Sequence, residues 1–278
     1  MNKTTLRATL AAGAALVVAT SLVAAGSAQA SALPTLTLTL TKSSITVGGT
    51  TQSGAVNVVS TATGVKEAVA ILFLVKPGVS PAEVETAIKS GAKDPNKTGK
   101  YGSIVFAAEV NPGQSSEVQT DLQPGQYLAL VPGEGKGPTA KTTFTVTAAK
   151  SLATLPTPQA TIRTIEFGFR GPSTLHDGEL VRFENEGYLV HMNLVAPVKN
   201  MNAAKRAIKL LRAGNEKQLE KLIVGPPGGF TGPLSHEAFQ QETITAKPGI
   251  YVEVCFMDTQ DGRSHTLLGM ERIIKITK

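Results

Sequence analysis

The sequence predicts a mainly β protein: two tandem Greek-key β-sandwich domains, each with an inserted helical segment. Three observations carry this expectation. Apolar and polar residues alternate with period two, most cleanly in Leu36-Thr-Leu-Thr-Leu-Thr41 and Thr142-Thr-Phe-Thr-Val-Thr147, as strands with one buried face do. Glycine pairs and Pro-Gly steps, such as Gly48-Gly49 and Pro124-Gly125, punctuate the runs at turn positions. The second half of the chain repeats the order of elements found in the first, at a spacing that means tandem domains rather than a solenoid.

The first thirty residues have the form of a signal peptide. Lys3 and Arg7 supply the positive start, Leu10 to Ala25 the apolar stretch, and Ala28-Gln29-Ala30 the cleavage motif. The exported chain is expected to begin at Ser31. The apolar stretch is too short and too rich in small residues for a lasting anchor, so no stable membrane insertion is expected. Localisation is expected to be secreted or in the cell envelope.

Residues 31–148 read as the first domain. Ala55-Val-Asn-Val-Val59 and Ala68 to Val75 are strands, the second apolar throughout as in a sandwich core. Ser80, Pro81 and Glu83 spell a capping box, opening a helix with Val84, Ala87 and Ile88 on its apolar face and Gly91 as its stop. Strands are expected again at Ser103–Val110, Gln126–Val131 and Thr142–Thr147. The stretch 149–160 lacks periodicity, carries two prolines and reads as a linker.

Residues 161–278 read as the second domain. Leu180-Val-Arg-Phe183 and the run holding His191 are strands, followed by a helix from about Asn202 to Arg212 that Gly214 stops. Ala204, Ile208 and Leu211 share one face of it. A further helical stretch, Glu216–Ile223, leads into a glycine–proline loop, Gly225 to Pro233. Pro248-Gly-Ile-Tyr-Val-Glu-Val-Cys255 mirrors Pro124-Gly-Gln-Tyr-Leu-Ala-Leu-Val131, and Arg272–Thr277 closes this half as Phe144–Thr147 closes the other. Laid together, the halves place Ala68 near His191, Val131 opposite Cys255 and Ala140 near Met270.

Composition narrows the chemistry. Lys3 and Arg7 carry two units of the formal net charge of +6, so the expected exported chain carries about +4, which is mild; there is no tryptophan, and basic residues do not cluster with aromatics, so nucleic acid is not an expected partner. No nucleophile elbow, P-loop or dinucleotide fingerprint occurs, and the chain is expected not to be an enzyme. The single cysteine cannot form an internal disulfide. In an exported protein it is a buried inert thiol, an intermolecular bridge, a reactive thiol or a metal ligand.

Its neighbourhood favours the last reading. Cys255, His265 and Met270 offer a thiolate, an imidazole and a thioether on one loop, a soft donor set that suits copper. His191, on an apolar strand, supplies a second imidazole. His176 and His236 fall outside this pattern and read as surface residues, with His236 the one substitute ligand. Zinc fits the same Cys-His-His set.

The second half resembles the cupredoxins, the small blue copper proteins, of the rusticyanin and plastocyanin type. The likeness rests on Pro248-Gly249-x-Tyr251-x-x-x-Cys255, on His265 and Gly269-Met270, and on Asn185 and His191 upstream. It implies a type 1 site in which His191, Cys255 and His265 are equatorial ligands of one copper ion and Met270 the weak axial ligand. Phe256, Met257, Leu267 and Leu268 are the expected apolar shell. The first half has the same frame without histidine, a cupredoxin-like domain without metal ligands. This sequence departs from the family in the nine residues between Cys255 and His265, more than the family usually carries. Asp258-Thr-Gln-Asp-Gly-Arg263 contains an Asp-Gly turn pair, so the insertion is expected to fold out as a small hairpin and return His265 to the metal. Asp258 and Asp261 are expected in solvent.

The resemblance implies a secreted single-electron carrier with a redox partner protein not named by the sequence. Copper handling without electron transfer is a second expectation. A cell-envelope binding or scaffold module of two sandwiches with a relict or redox-silent site is a third.

Overall fold

The computed structural model describes residues 32–278, except 66–67, 91–93, 112, 134–137 and 226–227. The expected signal peptide, residues 1–30, lies outside the described residues, as does Gly91, the expected stop of the first helix. Residues 33–278 pack as one compact unit.

The alternation read in the first half becomes eight strands: β1 (Thr35–Leu40), β2 (Ile45–Gly49), β3 (Gly54–Ala62), β4 (Ala68–Val75), β5 (Gly102–Val110), β6 (Ser115–Leu122), β7 (Gly125–Val131) and β8 (Ala140–Val146). They stack as two layers in the orders β6-β3-β1-β2 and β5-β4-β7-β8. The leucines of β1, positions 36, 38 and 40, point inward as period two requires and pack with Leu72, Phe106 and Tyr127. Helix α1 (Pro81–Ser90) follows β4. Its capping box forms as read: the Ser80 N–H donates to Glu83 at 2.8 Å, and the Glu83 N–H donates to the Ser80 hydroxyl at 3.3 Å.

The second half adds β9 (Ala160–Ile165), β10 (Gly168–Arg170), β11 (Thr174–His176), β12 (Leu180–Asn185), β13 (His191–Val198), α2 (Met201–Arg212), α3 (Glu216–Glu220), β14 (Gly228–Leu234), β15 (Phe239–Thr243), β16 (Gly249–Val254) and β17 (Glu271–Thr277). Its layers run β10-β9-β12-β15 and β11-β17-β16-β13-β14. Apart from β11, this order is that of the first half. β1 pairs antiparallel with β2 and parallel with β3, and β9 likewise pairs antiparallel with β10 and parallel with β12. Tyr127 and Tyr251, in the matching Pro-Gly-x-Tyr segments, each donate to the carbonyl four residues upstream at 2.8 Å. The strand that starts at His191 corresponds to the one that starts at Ala68, and Cys255 follows β16 at the position Val131 holds in β7.

The halves share structure. β6 and β15 pair edge to edge at Gln119 and Gln241, merging two four-stranded layers into one eight-stranded sheet. The carboxamide of Gln240 donates to the carbonyl of Ala107 and accepts from its N–H, both at 3.1 Å. β14 lies against β5, where a Cβ on Gly232 would stand 2.8 Å from that of Ala107. Close approach of two backbones is the reason for a glycine there.

Two expectations change. The glycine–proline loop, Gly225 to Pro233, is in its last two thirds the edge strand β14, and Pro233 is tolerated because an edge leaves one side of the ladder unpaired. The helix expected through Ile223 stops at Glu220, because Ile223 bridges Val198 and extends the sheet side instead. The connection from 149 to 159 holds no helix or strand.

α2 starts at Asn200, whose side chain accepts from Ala203 N–H at 3.0 Å. Its face of Ala204, Ala207 and Leu211 covers Val198, Val252 and Val254, the outer face of β13 and β16. These two strands carry the site at their ends, so the helix stiffens the pair from behind.

Candidate metal centre

Three chain segments converge at one end of the second half. His191 opens β13, where register shifts against β14 mark irregular pairing, and Cys255 directly follows β16. His265 opens a single turn of 3-10 helix, His265–Leu268, which ends at Gly269 with φ 94°. The positive φ suits glycine and turns the chain so that Met270 N–H donates to His265 O at 3.0 Å. Cys255 N–H in turn donates to Met270 O at 3.2 Å. The long insertion folds out on itself as expected: Asp258 and Ser264 bridge, and Thr259 N–H donates to Arg263 O at 2.9 Å around Gly262. His265 N–H then donates to Met257 O at 2.8 Å, which returns the imidazole to the cysteine.

His191, Cys255 and His265 form a cluster whose donor atoms all lie within 4.8 Å of one another. Cys255 Sγ is 3.8 Å from His191 Nδ1 and 3.4 Å from His265 Nδ1, and the rings are 4.9 Å apart. A nitrogen at about 2.0 Å and a sulfur at about 2.3 Å from one shared ion stand about 3.5–3.7 Å from each other. All three side chains are buried, and Nε2 of each histidine has no hydrogen-bond partner. Two buried imidazoles turn the same nitrogen toward one sulfur, and the donor set fits a soft or borderline metal ion.

The electrostatics agree. Burial first, then repulsion from His265, pushes His191 down to about 4, with Glu166 opposing. Burial also lowers His265, so both rings are neutral near pH 7, the form that binds metal. Burial pushes the Cys255 thiol up to about 12, against the pull of N–H groups from Met192 and Met257. Without metal the sulfur keeps its proton; an ion must displace it.

Met270 is fully buried, and its backbone ties Cys255 to His265. The expected shell is only partly present. Met257 is partly buried in an apolar cluster, whereas Phe256 and Leu267 are exposed. His176 and His236 are outside the cluster. His236 is exposed, stacks on Tyr188, and has Nδ1 2.9 Å from Gly187 O. Asp261 is exposed as expected, but Asp258 is half-buried, because its backbone is engaged by Asn96 of the first half.

Apart from Asn185, on which the resemblance partly rests, the residues that support the cluster carried no signal in the sequence. The Met192 N–H donates to Cys255 Sγ at 3.4 Å. Asn185 is fully used: it donates to Leu189 O and Leu234 O at 2.8 Å and accepts from Gly187 N–H at 2.9 Å, locking the loop before His191. Glu166 accepts from the N–H groups of Tyr188 and Leu189. Phe167, with φ 58°, sets its ring edge-on to His265 at 5.3 Å. The side chains at 166 and 167 come from a hairpin tip distant in sequence, and only the fold brings them over the cluster.

No family model and no curated protein matches the chain. Solved structures do match over part or most of it. Auracyanin B is 18% identical, covering 45% of this chain and 93% of its own, with a TM-score of 0.27. The copper-containing nitrite reductase of Thermus scotoductus SA-01 is 14% identical over 88% of this chain and 68% of its own, TM-score 0.26. A multi-copper oxidase of Pediococcus acidilactici is 11% identical over 88% and 59%, TM-score 0.23. Similarities of this size show no mechanism. They do correct one expectation. The chain was expected not to be an enzyme, yet the solved structures that span most of it are named as a reductase and an oxidase, so that exclusion is withdrawn.

Proposed function

We propose that the chain binds one copper ion in a type 1 site and transfers single electrons through it. His191, Cys255 and His265 are the equatorial ligands in this reading, and Met270 is the weak axial one. The observation that carries it is the buried cluster itself, with both Nδ1 atoms turned to one sulfur and both Nε2 atoms unpartnered. Bound copper supplies a one-electron couple between its cuprous and cupric states.

The chain supplies a rigid frame. Asn185 holds the turn before His191, the 3-10 turn holds His265, and the Met192 N–H bond to sulfur fixes the Cys255 side chain and withdraws charge from it. Ligands held this firmly move little when charge changes, which keeps electron transfer fast. A donor set completed by a thioether favours copper over zinc, whose closed sites take a fourth thiolate, imidazole or carboxylate. The same proposal includes two tandem copies of one sandwich with the ligands in the second only. It also includes export with cleavage before Ser31 and a redox partner protein. No helix among the described residues is long and apolar enough to cross a membrane.

The test is titration of the metal-free chain with Cu(II). One equivalent should give an intense visible band from thiolate-to-copper charge transfer, absent in Cys255→Ser. Tight binding of zinc with no coloured copper form would replace this reading with a redox-silent site.

A further inference from the structure

We infer that Asn96, in the half without metal ligands, is a positioning residue for the metal centre, spacing the His191 strand from the Cys255–His265 loop. The inference rests on the copper reading only for the identity of the ion, since the tie exists in the chain itself.

Asn96 lies in a short 3-10 turn, Pro95–Thr98, capped by Asp94. One oxygen of the buried Asp94 carboxylate accepts from both the N–H of Asn96 at 3.0 Å and its side-chain amide at 2.9 Å. The carboxamide is thereby held before it reaches the other half. Its oxygen accepts from Val190 N–H at 2.7 Å, and its nitrogen donates to Asp258 O at 3.3 Å. The amide can be oriented only this way, because a backbone N–H needs an acceptor and carboxylate and carbonyl oxygens need a donor.

Both partners sit beside ligands. Val190 immediately precedes His191. Asp258 follows Met257, whose carbonyl receives the N–H of His265 at 2.8 Å. Val190 and Met257 also enter one apolar cluster with Ile71, Phe73 and Leu130 of the first half. One side chain from 94 residues upstream thus joins the two segments whose separation sets the distances from His191 to Cys255 and His265. The frame without ligands holds the frame that has them.

The experiment compares Asn96→Ala with Thr120→Val in the full chain. Thr120 also bonds across the halves, to Phe239 O at 2.8 Å, but at the sheet join. In metal-free protein, the rate at which a disulfide reagent labels the fully buried Cys255 reports opening of the loop. Losing the two bonds from Asn96 to the second half, with its side-chain bond to Asp94, should raise that rate about tenfold or more, and Thr120→Val should leave it unchanged at comparable thermal stability. In Cu(II) protein, Asn96→Ala should shift the visible band and speed copper release, and Thr120→Val should do neither. Equal effects of the two variants, or no effect of Asn96→Ala on labelling, would overturn the inference. If the wild-type chain takes up no copper the function proposed above fails, while the labelling arm still decides the role of Asn96.

Discussion

Gly187 lies against His191 so closely that a Cβ on the glycine would stand 2.7 Å from the imidazole Nε2. The same Cβ would be 2.8 Å from Glu166 Oε1, the end of an exposed side chain, whereas His191 is buried and has little room to give. Gly187→Ala must therefore rotate the His191 ring or push back the loop that Asn185 holds. Strain of about 1–3 kcal/mol is typical of such overpacking. Cu(II) affinity, measured against a competing chelator, should fall by about tenfold or more. Unchanged affinity would show that the ring is not held where the structure puts it.

Ligand substitutions should separate the three donors. Cys255→Ser should abolish the visible band. His265→Ala should open an equatorial position, weaken binding and let added imidazole restore part of the colour. Met270→Leu should keep the metal and mainly shift the reduction potential, as a weak axial ligand does. A His265→Ala protein with native spectrum and affinity would remove His265 from the site.

Metal uptake should release one proton near neutral pH. The thiol, raised to about 12 by burial, must lose its proton to bind, whereas His191, lowered to about 4, is already neutral. Between about pH 6.5 and pH 8, where burial also keeps His265 neutral, the logarithm of the affinity should therefore rise by about one per pH unit. Proton release on adding metal, followed in weakly buffered solution, gives the count directly. A slope near two would mean that a histidine is still protonated in this range.

Stability should fall as pH rises from about 4.5 to about 8. Glu242 sits in the crevice between the halves; burial, with the charge of Glu109 as second cause, raises its carboxyl to about 8. The folded chain keeps this proton to higher pH than the unfolded chain, whose carboxyl titrates near 4.5. The contribution is thus present in full at the acid end and lost through that window. Glu242→Gln should flatten the decline, read as urea midpoints at pH 5 and pH 8. An equally steep decline in the variant would assign it to other groups.

How much of this was legible in the sequence can be argued residue by residue. Strands buried on one face by their own half announced themselves, because burial of alternate residues writes period two into β1 and β8, and local capping chemistry wrote α1 at Ser80 and Glu83. The donors His191, Cys255 and His265 were legible because soft ligand chemistry needs those residue types whatever the surroundings. The repeat was legible because matching Pro-Gly-x-Tyr segments do the same job twice. The strands β6 and β15 were not: Thr120, Gln240 and Gln241 are polar yet buried, satisfied by partners more than a hundred residues away, and no local pattern encodes that. The glycine–proline stretch likewise looked like a loop, because the contact that makes it a strand is the backbone of β5. Sequence alone therefore determined which atoms can bind a metal. Tertiary structure decided how far apart they stand, through Asn96, Glu166, Phe167 and Gly187, whose roles come from long-range packing and hydrogen bonds rather than from residue type.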